Sequence, residues 1–125
     1  MDFNAVGKQF VEFYYTVYDS DRSKLANLFA DSSMLSFEGE QFMGPTAIMG
    51  KLTSLGFQTV KHEIVTLDSH PVPQSSGVLC FVVGRLVVDG GMDRPLMFSE
   101  CFHLAPLPGG QGFYVQNCVF RLSLH

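Results

Sequence analysis

Residues 3–17 read FNAVGKQFVEFYYTV, a run in which apolar side chains return every three or four positions. That spacing places them on one face of an α-helix. Asp2 precedes the run and can cap the helix by accepting hydrogen bonds from its free backbone N–H groups. A long helix with an apolar face must bury that face against the rest of the chain. The apolar positions are Phe3, Val6, Phe10, Phe13, Tyr14 and Val17.

The first half of the chain contains signals for further helices. The break Asp19-Ser20-Asp21 ends the first helix and offers a cap for a second, shorter one. A third helix begins at Gly44-Pro45, since proline is tolerated at the first helical position, and Gly56 ends it. The second helix carries Leu25, Leu28 and Phe29 on one face, and two short strands at 34–37 and 41–43 precede the third helix.

The second half of the chain alternates as strands do. Residues 78–89 are apolar on both faces, which predicts that both sides of that strand are covered. Gly84 within it predicts a bulge or a bend. Residues 57–68 place Val60, His62, Ile64 and Thr66 on one face, and strands at 96–104 and 113–124 follow after turns rich in glycine and proline.

Helices first and hairpin-linked strands after them are typical of an α+β fold. A strongly bent, mostly antiparallel sheet that wraps as a cone around the long first helix buries both patterns. The chain has 125 residues, so we expect one domain over residues 1–125.

Composition narrows the classes of function. Hydrophobic residues make up 46% of the chain, charged residues 16%, and the net charge is −4. Lys and Arg are scattered singly, which argues against a nucleic-acid partner, whereas an acidic protein can meet a basic patch on another protein. So much apolar surface also suggests burial against a partner or a second copy.

The cysteines and the hydropathy pattern predict a soluble, intracellular protein. Cys80, Cys101 and Cys118 all lie within apolar runs, which predicts three buried thiols in a reducing compartment. The N-terminus has neither a basic region nor an apolar signal core. The longest apolar stretch, residues 78–83, is too short to span a bilayer.

Residues suited to catalysis are few. The histidines lack metal-ligand spacing, which predicts no metal site. Residues 109–112 lie between strands, so this glycine-rich segment is a turn and not a phosphate loop. One enzymatic arrangement stays open, in which His62 pairs with Asp89 in an apolar cavity for acid–base catalysis. The alternative is a partly buried His62 that one carboxylate orients.

Several segments, in order along the chain, match one known family. They are FVEFYY (10–15) with DSDR (19–22), LSFEG (35–39) with QFMG (41–44), the positions 47–48, 51–52, 54–55, 57–58 and 60–62, and FSECFHL (98–104) with FRL (120–122). Over nearly its whole length the chain resembles the nuclear transport factor 2 family.

The resemblance implies a homodimer of cone-shaped subunits that binds the GTPase Ran in its GDP form. It also implies binding to phenylalanine-glycine repeats of nucleoporins, a location in cytoplasm and nucleus with concentration at the nuclear pore, no cofactor and no catalysis. In the family, a phenylalanine of the GTPase enters the mouth of the cone and basic residues beside it pair with acids at the rim.

The residues that match this role can be named one by one. Glu38 matches the key acid of the family, Asp89 matches a second rim acid, and Phe3 stands where the family exposes an aromatic residue to nucleoporin repeats. Phe3 can equally be the first core residue of the helix. The resemblance assigns Ran binding to Phe37, Glu38, Leu55, Val60, His62, Asp89, Asp93, Met97 and Phe120.

The chain departs from the family at two positions. Some members carry tryptophan where this chain has Phe37, and the family usually has a second acid where this chain has Gly91, with Asp93 further along. Two other functions remain as alternatives: an isomerase or dehydratase on the same fold, and a scaffold domain that binds only phenylalanine-rich repeats.

Overall fold

The computed structural model describes residues 2–91 and 94–123. Its elements follow the predicted order, with helices first and long strands after them. They are α1 (Phe3–Ser20), a 3₁₀ helix (Arg22–Leu28), β1 (Phe29–Phe37), β2 (Glu40–Met43), α2 (Gly44–Thr53), β3 (Val60–Val72), β4 (Gly77–Val88), β5 (Leu96–Pro106) and β6 (Phe113–Leu122).

One six-stranded sheet in the order β2-β1-β6-β5-β4-β3 forms the body of the molecule. The pair β1–β6 is parallel, and the other neighbouring pairs are antiparallel. The sheet is open and curled, and its inner face packs against α1. The predicted α+β class with a bent, mostly antiparallel sheet around the long first helix is therefore confirmed.

The helix α1 begins as predicted, because the side chain of Asp2 accepts hydrogen bonds from the N–H groups of Asn4 and Ala5. Its buried face is rotated from the predicted one. Phe13 is 52% exposed, so its assignment to the core face is wrong. Each residue advances 100° around a helix, and the sheet covers the neighbouring direction instead. The buried residues are Gly7, Val11, Tyr14, Tyr15 and Tyr18.

The second predicted helix is a single 3₁₀ segment, and Asp21 caps it by accepting from the N–H of Ser23 at 3.1 Å. Phe29, which we placed on that helix, is the first residue of β1. The third predicted helix is α2, which begins at Gly44 with proline in its first turn.

A bulge in β3 changes which side chains face the core. The register against β4 shifts between Ile64 and Thr66, so Thr66 does not share the face of Ile64 as the alternation predicted. Gly84 lies directly opposite Ile64 in β4. A Cβ atom there would lie 2.4 Å from the carbonyl oxygen of Glu63, so the close approach at this irregularity requires glycine.

The outer face of the sheet is not covered in this chain. In β4, Val78, Cys80 and Val82 are fully buried, whereas Leu79 is 39% and Phe81 46% exposed. Within one subunit the inner side of this strand is therefore covered, and the cover of its outer side by a second copy stays a prediction.

The exposed side chains of the outer face form one continuous row across the sheet. Phe81 lies opposite Cys101, and Cys101 opposite Val119. We call Leu79, Phe81, Cys101 and Val119 the outer patch. Cys101 is half-buried there, so the prediction of three buried thiols is right for Cys80 and Cys118 only. Within the described residues, no helix combines the length and the hydropathy that a membrane crossing requires.

A buried carboxyl group lies between α1 and the sheet. Glu100 is 5% exposed and accepts hydrogen bonds from the hydroxyl of Tyr15 at 2.8 Å and the thiol of Cys118 at 2.7 Å. Burial raises the pKa of Glu100, although both hydrogen bonds and the nearby His62 act in the opposite direction. Sequence patterns did not single out Glu100, because nothing local marks a glutamate as buried.

The raised pKa of Glu100 predicts a specific pH dependence of stability. The folded protein holds this proton more tightly than the unfolded chain, so the stabilisation is present at low pH and is lost as the pH rises through the folded-state pKa. Glu100→Gln stays neutral and should raise the free energy of unfolding by on the order of 1 kcal/mol at alkaline pH. Urea denaturation between about pH 5 and pH 9 measures this, with the exposed Glu12→Gln as the control.

The same series can contradict the expectation. If Glu100→Gln lowers the free energy of unfolding equally at every pH, the hydrogen bonds of the carboxyl group outweigh the cost of its buried charge.

Candidate functional site

An aromatic row crosses the inner face of the sheet near one end. Phe37 stacks on Phe120 with 4.7 Å between ring centroids and 12° between planes, and Phe120 stacks on Phe98 at 5.6 Å. His62 continues the row, edge to face with Phe98 at 5.4 Å. These four residues come from four different strands, so the row joins distant parts of the sheet.

The aromatic row lies at one end of the sheet. The strand register places the ends of several strands at that same end. Phe37 ends β1 beside Phe120, and Phe98 near the start of β5 lies opposite Leu122 near the end of β6. Leu86 lies opposite both His62 and Leu96. We call this end of the inner face the mouth.

Glu38 stands at the mouth in the turn between β1 and β2. Glu38 and Gly39 have φ angles of 52° and 88°, the left-handed conformation of a two-residue hairpin turn. The N–H of Glu38 donates to the carbonyl of Phe120 at 3.1 Å, and its Oε1 accepts from the N–H of Leu122 at 2.5 Å. The carboxylate is therefore fixed to the end of β6, and Glu38 as a whole is half-buried.

Asp89 follows the last residue of β4 at the same end of the sheet. Its Oδ1 accepts from the N–H groups of Gln58 at 2.9 Å and Thr59 at 3.0 Å. Those backbone hydrogen bonds, led by Thr59, lower the pKa of Asp89. Its own N–H donates to the carbonyl of Thr59 at 2.9 Å. Asp89 thus joins the end of β4 to the loop between α2 and β3.

The structure places the two predicted rim acids at one end of the molecule, at the ends of β1 and β4, with β6 and β5 between those strands. Glu38 and Asp89 each use one carboxylate oxygen to fix neighbouring backbone. The third predicted acid, Asp93, lies outside the described residues.

The same loop is fixed from its other side by Arg22. Nη2 of Arg22 donates to the carbonyl of Phe57 at 2.8 Å, and the guanidinium lies 4.4 Å from the centroid of the Phe57 ring. Nη1 is buried and has no hydrogen-bond partner among the described residues. Arg22 follows the cap of the 3₁₀ helix, and sequence reasoning gave it no role.

His62 is bound to Asp19, not to Asp89. Its Nδ1 lies 2.6 Å from Oδ1 of Asp19, whose Oδ2 accepts from the backbone N–H of His62 at 2.8 Å. The His62 side chain is 3% exposed and stacks on Tyr15 with 4.5 Å between centroids. The pairing with Asp89 is therefore wrong, and the alternative of a histidine oriented by one carboxylate is correct. His62 belongs to the buried end of the aromatic row.

Met97 does not share the face of the other mouth residues. It lies opposite Arg85, which in turn lies opposite Glu63, and these two form a surface ion pair at 3.3 Å. Facing residues of paired strands point to one side of a sheet, so Met97 is on the outer side. The assignment of Met97 to the mouth is corrected, because the strand alternates and Leu96 takes the inner position.

Of the remaining apolar assignments, Phe37, Val60 and Phe120 lie on strands at the mouth end of the sheet, and the place of Leu55 at the mouth stays a prediction. Phe37 and Leu55 are half-buried, Val60 is 8% exposed and Phe120 is 6% exposed. Val60 also lines a hollow of about 260 Å³ beside the mouth. Sequence reasoning missed Leu96, which is 42% exposed directly opposite buried Leu86.

Phe3 lies at the first position of α1, far along the helix from the mouth. It is half-buried and packs against the core cluster. A separate apolar hollow of about 330 Å³ lies further along the same helix, lined by Val6, Phe10, Phe13 and Phe113 among others.

Comparison with known proteins places the chain in one family. Residues 6–122 match the family model described as nuclear transport factor 2 (NTF2) domain. The Nuclear transport factor 2 of Oryza sativa subsp. japonica is 50% identical over 123 residues, which cover 98% of each chain. The solved structure of nuclear transport factor 2 from Cryptosporidium parvum is 41% identical, with a TM-score of 0.90 over 97% of this chain and 94% of that one.

Enzymes also share the fold. A putative scytalone dehydratase from Novosphingobium aromaticivorans is similar over 96% of this chain and 83% of its own, with a TM-score of 0.79, but at 16% identity the likeness shows the fold alone. The family model and the relatives that match at high identity over nearly the whole length are decisive: the chain belongs to the nuclear transport factor 2 family.

Proposed function

We propose that this chain is a nucleocytoplasmic carrier that binds GDP-bound Ran at its mouth and phenylalanine-glycine repeats of nucleoporins elsewhere. Family membership supports a role in nuclear transport. The observation that carries the proposal is the mouth itself, where an aromatic row ends at half-buried Phe37 beside the carboxylate of Glu38.

The mouth suits one aromatic side chain of a partner. Phe37 and Phe120 stack tightly, so a ring that enters meets an apolar floor already in place. Leu96 is exposed at the same end and is the apolar surface that such a ring would cover. Burial of one phenyl side chain contributes about 1.5–3 kcal/mol, which is enough to anchor a segment but not to hold it without further contacts.

The two carboxylates suit basic residues that flank such a ring. Backbone hydrogen bonds hold Glu38 and Asp89 in position before a partner arrives, so little side-chain freedom is lost on binding. The lowered pKa keeps Asp89 ionised. A GTPase switch segment changes shape with its nucleotide, so a fixed arrangement of apolar floor and acids would select one nucleotide state.

Dimerisation is the proposed role of the outer patch. Its side chains form a row of exposed apolar groups across three strands. A second copy packed across a two-fold axis would bury the same row on both subunits. Two copies also present two repeat-binding sites, which strengthens weak individual contacts.

Nucleoporin repeats are proposed to bind near the N-terminal half of α1. Phe3 is half-buried there, and Phe13 is exposed further along the helix. Exposed aromatic groups next to an apolar hollow can accept a phenylalanine side chain of a repeat.

The buried His62 supports a carrier over an isomerase or dehydratase. A general acid or base must reach a proton of its substrate, whereas the His62 side chain is 3% exposed and already bound to Asp19. The capture of Ran distinguishes a carrier from a scaffold domain that binds only repeats.

Nucleotide-dependent capture tests the proposed partner. The immobilised wild-type protein should capture Ran loaded with GDP and leave Ran loaded with GTP in solution. Glu38→Lys should abolish capture, and Glu38→Gln, which keeps an acceptor for Leu122, should weaken it about 10- to 100-fold. The exposed Glu12→Lys provides the matched charge reversal and should bind like wild type. Equal capture of both nucleotide forms, or repeat binding with no Ran capture, would contradict the proposal.

The oligomeric state tests the outer patch. Phe81→Glu should produce a monomer in sedimentation velocity, because two charges would otherwise be buried at the interface. Val65→Glu replaces a side chain of similar exposure, 47%, in the bulge of β3 outside the patch, and should remain a dimer. A folded Phe81→Glu variant that sediments as a dimer would exclude this face as the interface.

A further inference from the structure

Lys51 lies across the open face of Phe37. Phe120 stacks on one face of the Phe37 ring. Nζ of Lys51 also lies over the Phe37 ring, 5.5 Å from its centroid. The same Nζ is 5.9 Å from the centroid of Phe42 and 2.9 Å from Oε1 of Glu40. Two aromatic rings and a carboxylate thus hold the ammonium group, a combination that favours cations.

Three elements fix this arrangement. In the hairpin of β1 and β2, Phe37 lies directly opposite Glu40, so both side chains are on one side of the sheet. The helix α2 packs over the hairpin and buries Ile48 and Leu52. Lys51 precedes Leu52, and its side chain is 24% exposed, which is low for a lysine.

We infer that Lys51 is a specificity-determining residue of the mouth, and this inference rests on the proposed function. An aromatic side chain that stacks on Phe37 must first displace the ammonium group of Lys51. The displacement also leaves Glu40 without its cation. A partner that brings a basic group along with its ring restores that pair, and a neutral ring does not.

The consequence is discrimination between two kinds of phenylalanine. When a ring flanked by Lys or Arg binds, as on a basic protein segment, the partner's basic group replaces Lys51 as the cation beside Glu40. The ring of an uncharged phenylalanine-glycine repeat would leave Glu40 unpaired. Because the Glu40 side chain is 65% exposed, water partly replaces the lost cation, so Lys51 disfavours neutral repeats at the mouth relative to a basic partner.

Lys51→Ala tests the inference against a matched control. Calorimetry should show about 3- to 10-fold tighter binding of GDP-bound Ran to Lys51→Ala, because no cation must be displaced. An uncharged phenylalanine-glycine peptide should compete with Ran for the mouth of this variant more strongly than for that of wild type. Lys8→Ala removes the same charge from an exposed site on α1 and should stay within about twofold of wild type. Lys51→Ala that folds and binds Ran no more tightly than Lys8→Ala would overturn the inference.

A measurement without a partner separates this inference from the proposed function. In NMR spectra of the free protein, the ε-methylene protons of Lys51 should be shifted upfield by the Phe37 and Phe42 rings, and the shift should decrease in Phe37→Leu. Unshifted Lys51 protons in wild type overturn the inference whether or not Ran binds. Failure of wild type to capture Ran in either nucleotide form would instead refute the proposed function.

Discussion

The stack of Phe37 on Phe120 is the contact on which the mouth depends. With 4.7 Å between centroids and nearly parallel planes, it ties the end of β1 to the end of β6 and continues through Phe98 towards the core. Phe98 in turn packs edge to face with Tyr15 of α1. The floor of the mouth is therefore an extension of the core around α1, and the same ring packing holds both in place.

The carboxylates at the mouth serve the fold and the proposed partner at once. Asp89, directly after β4, and Arg22 of the 3₁₀ helix both bind the loop between α2 and β3, and Glu38 binds the end of β6. Each acid is fixed through backbone hydrogen bonds that use one oxygen. A partner then meets negative charges in place, which favours specificity and fast association, while the ammonium of Lys51 restricts which rings can enter.

Periodicity and turn chemistry predicted most of the fold, and the errors have physical causes. The cap at Asp2, the helix at Gly44-Pro45 and the irregularity at Gly84 were readable because each depends on local backbone preferences. Thr66 was misplaced because one extra residue in a bulge reverses every later side chain, and Met97 because adjacent strand residues face opposite sides. The partners of His62 and Glu100 come from distant segments, which no local pattern reveals. The acids at positions 38 and 89 came from the family resemblance, not from periodicity.

The dissociation constant of Phe37→Ala for GDP-bound Ran tests the central claim most directly, since that substitution removes the floor on which a partner ring would stack. The exposed Leu107→Ala removes an apolar side chain in the turn after β5, at the opposite end of that strand from the mouth, and thermal unfolding verifies that both variants are folded. We expect binding to weaken about 10-fold or more in Phe37→Ala and to change less than about twofold in Leu107→Ala. A folded Phe37→Ala variant that binds GDP-bound Ran like wild type would contradict the account.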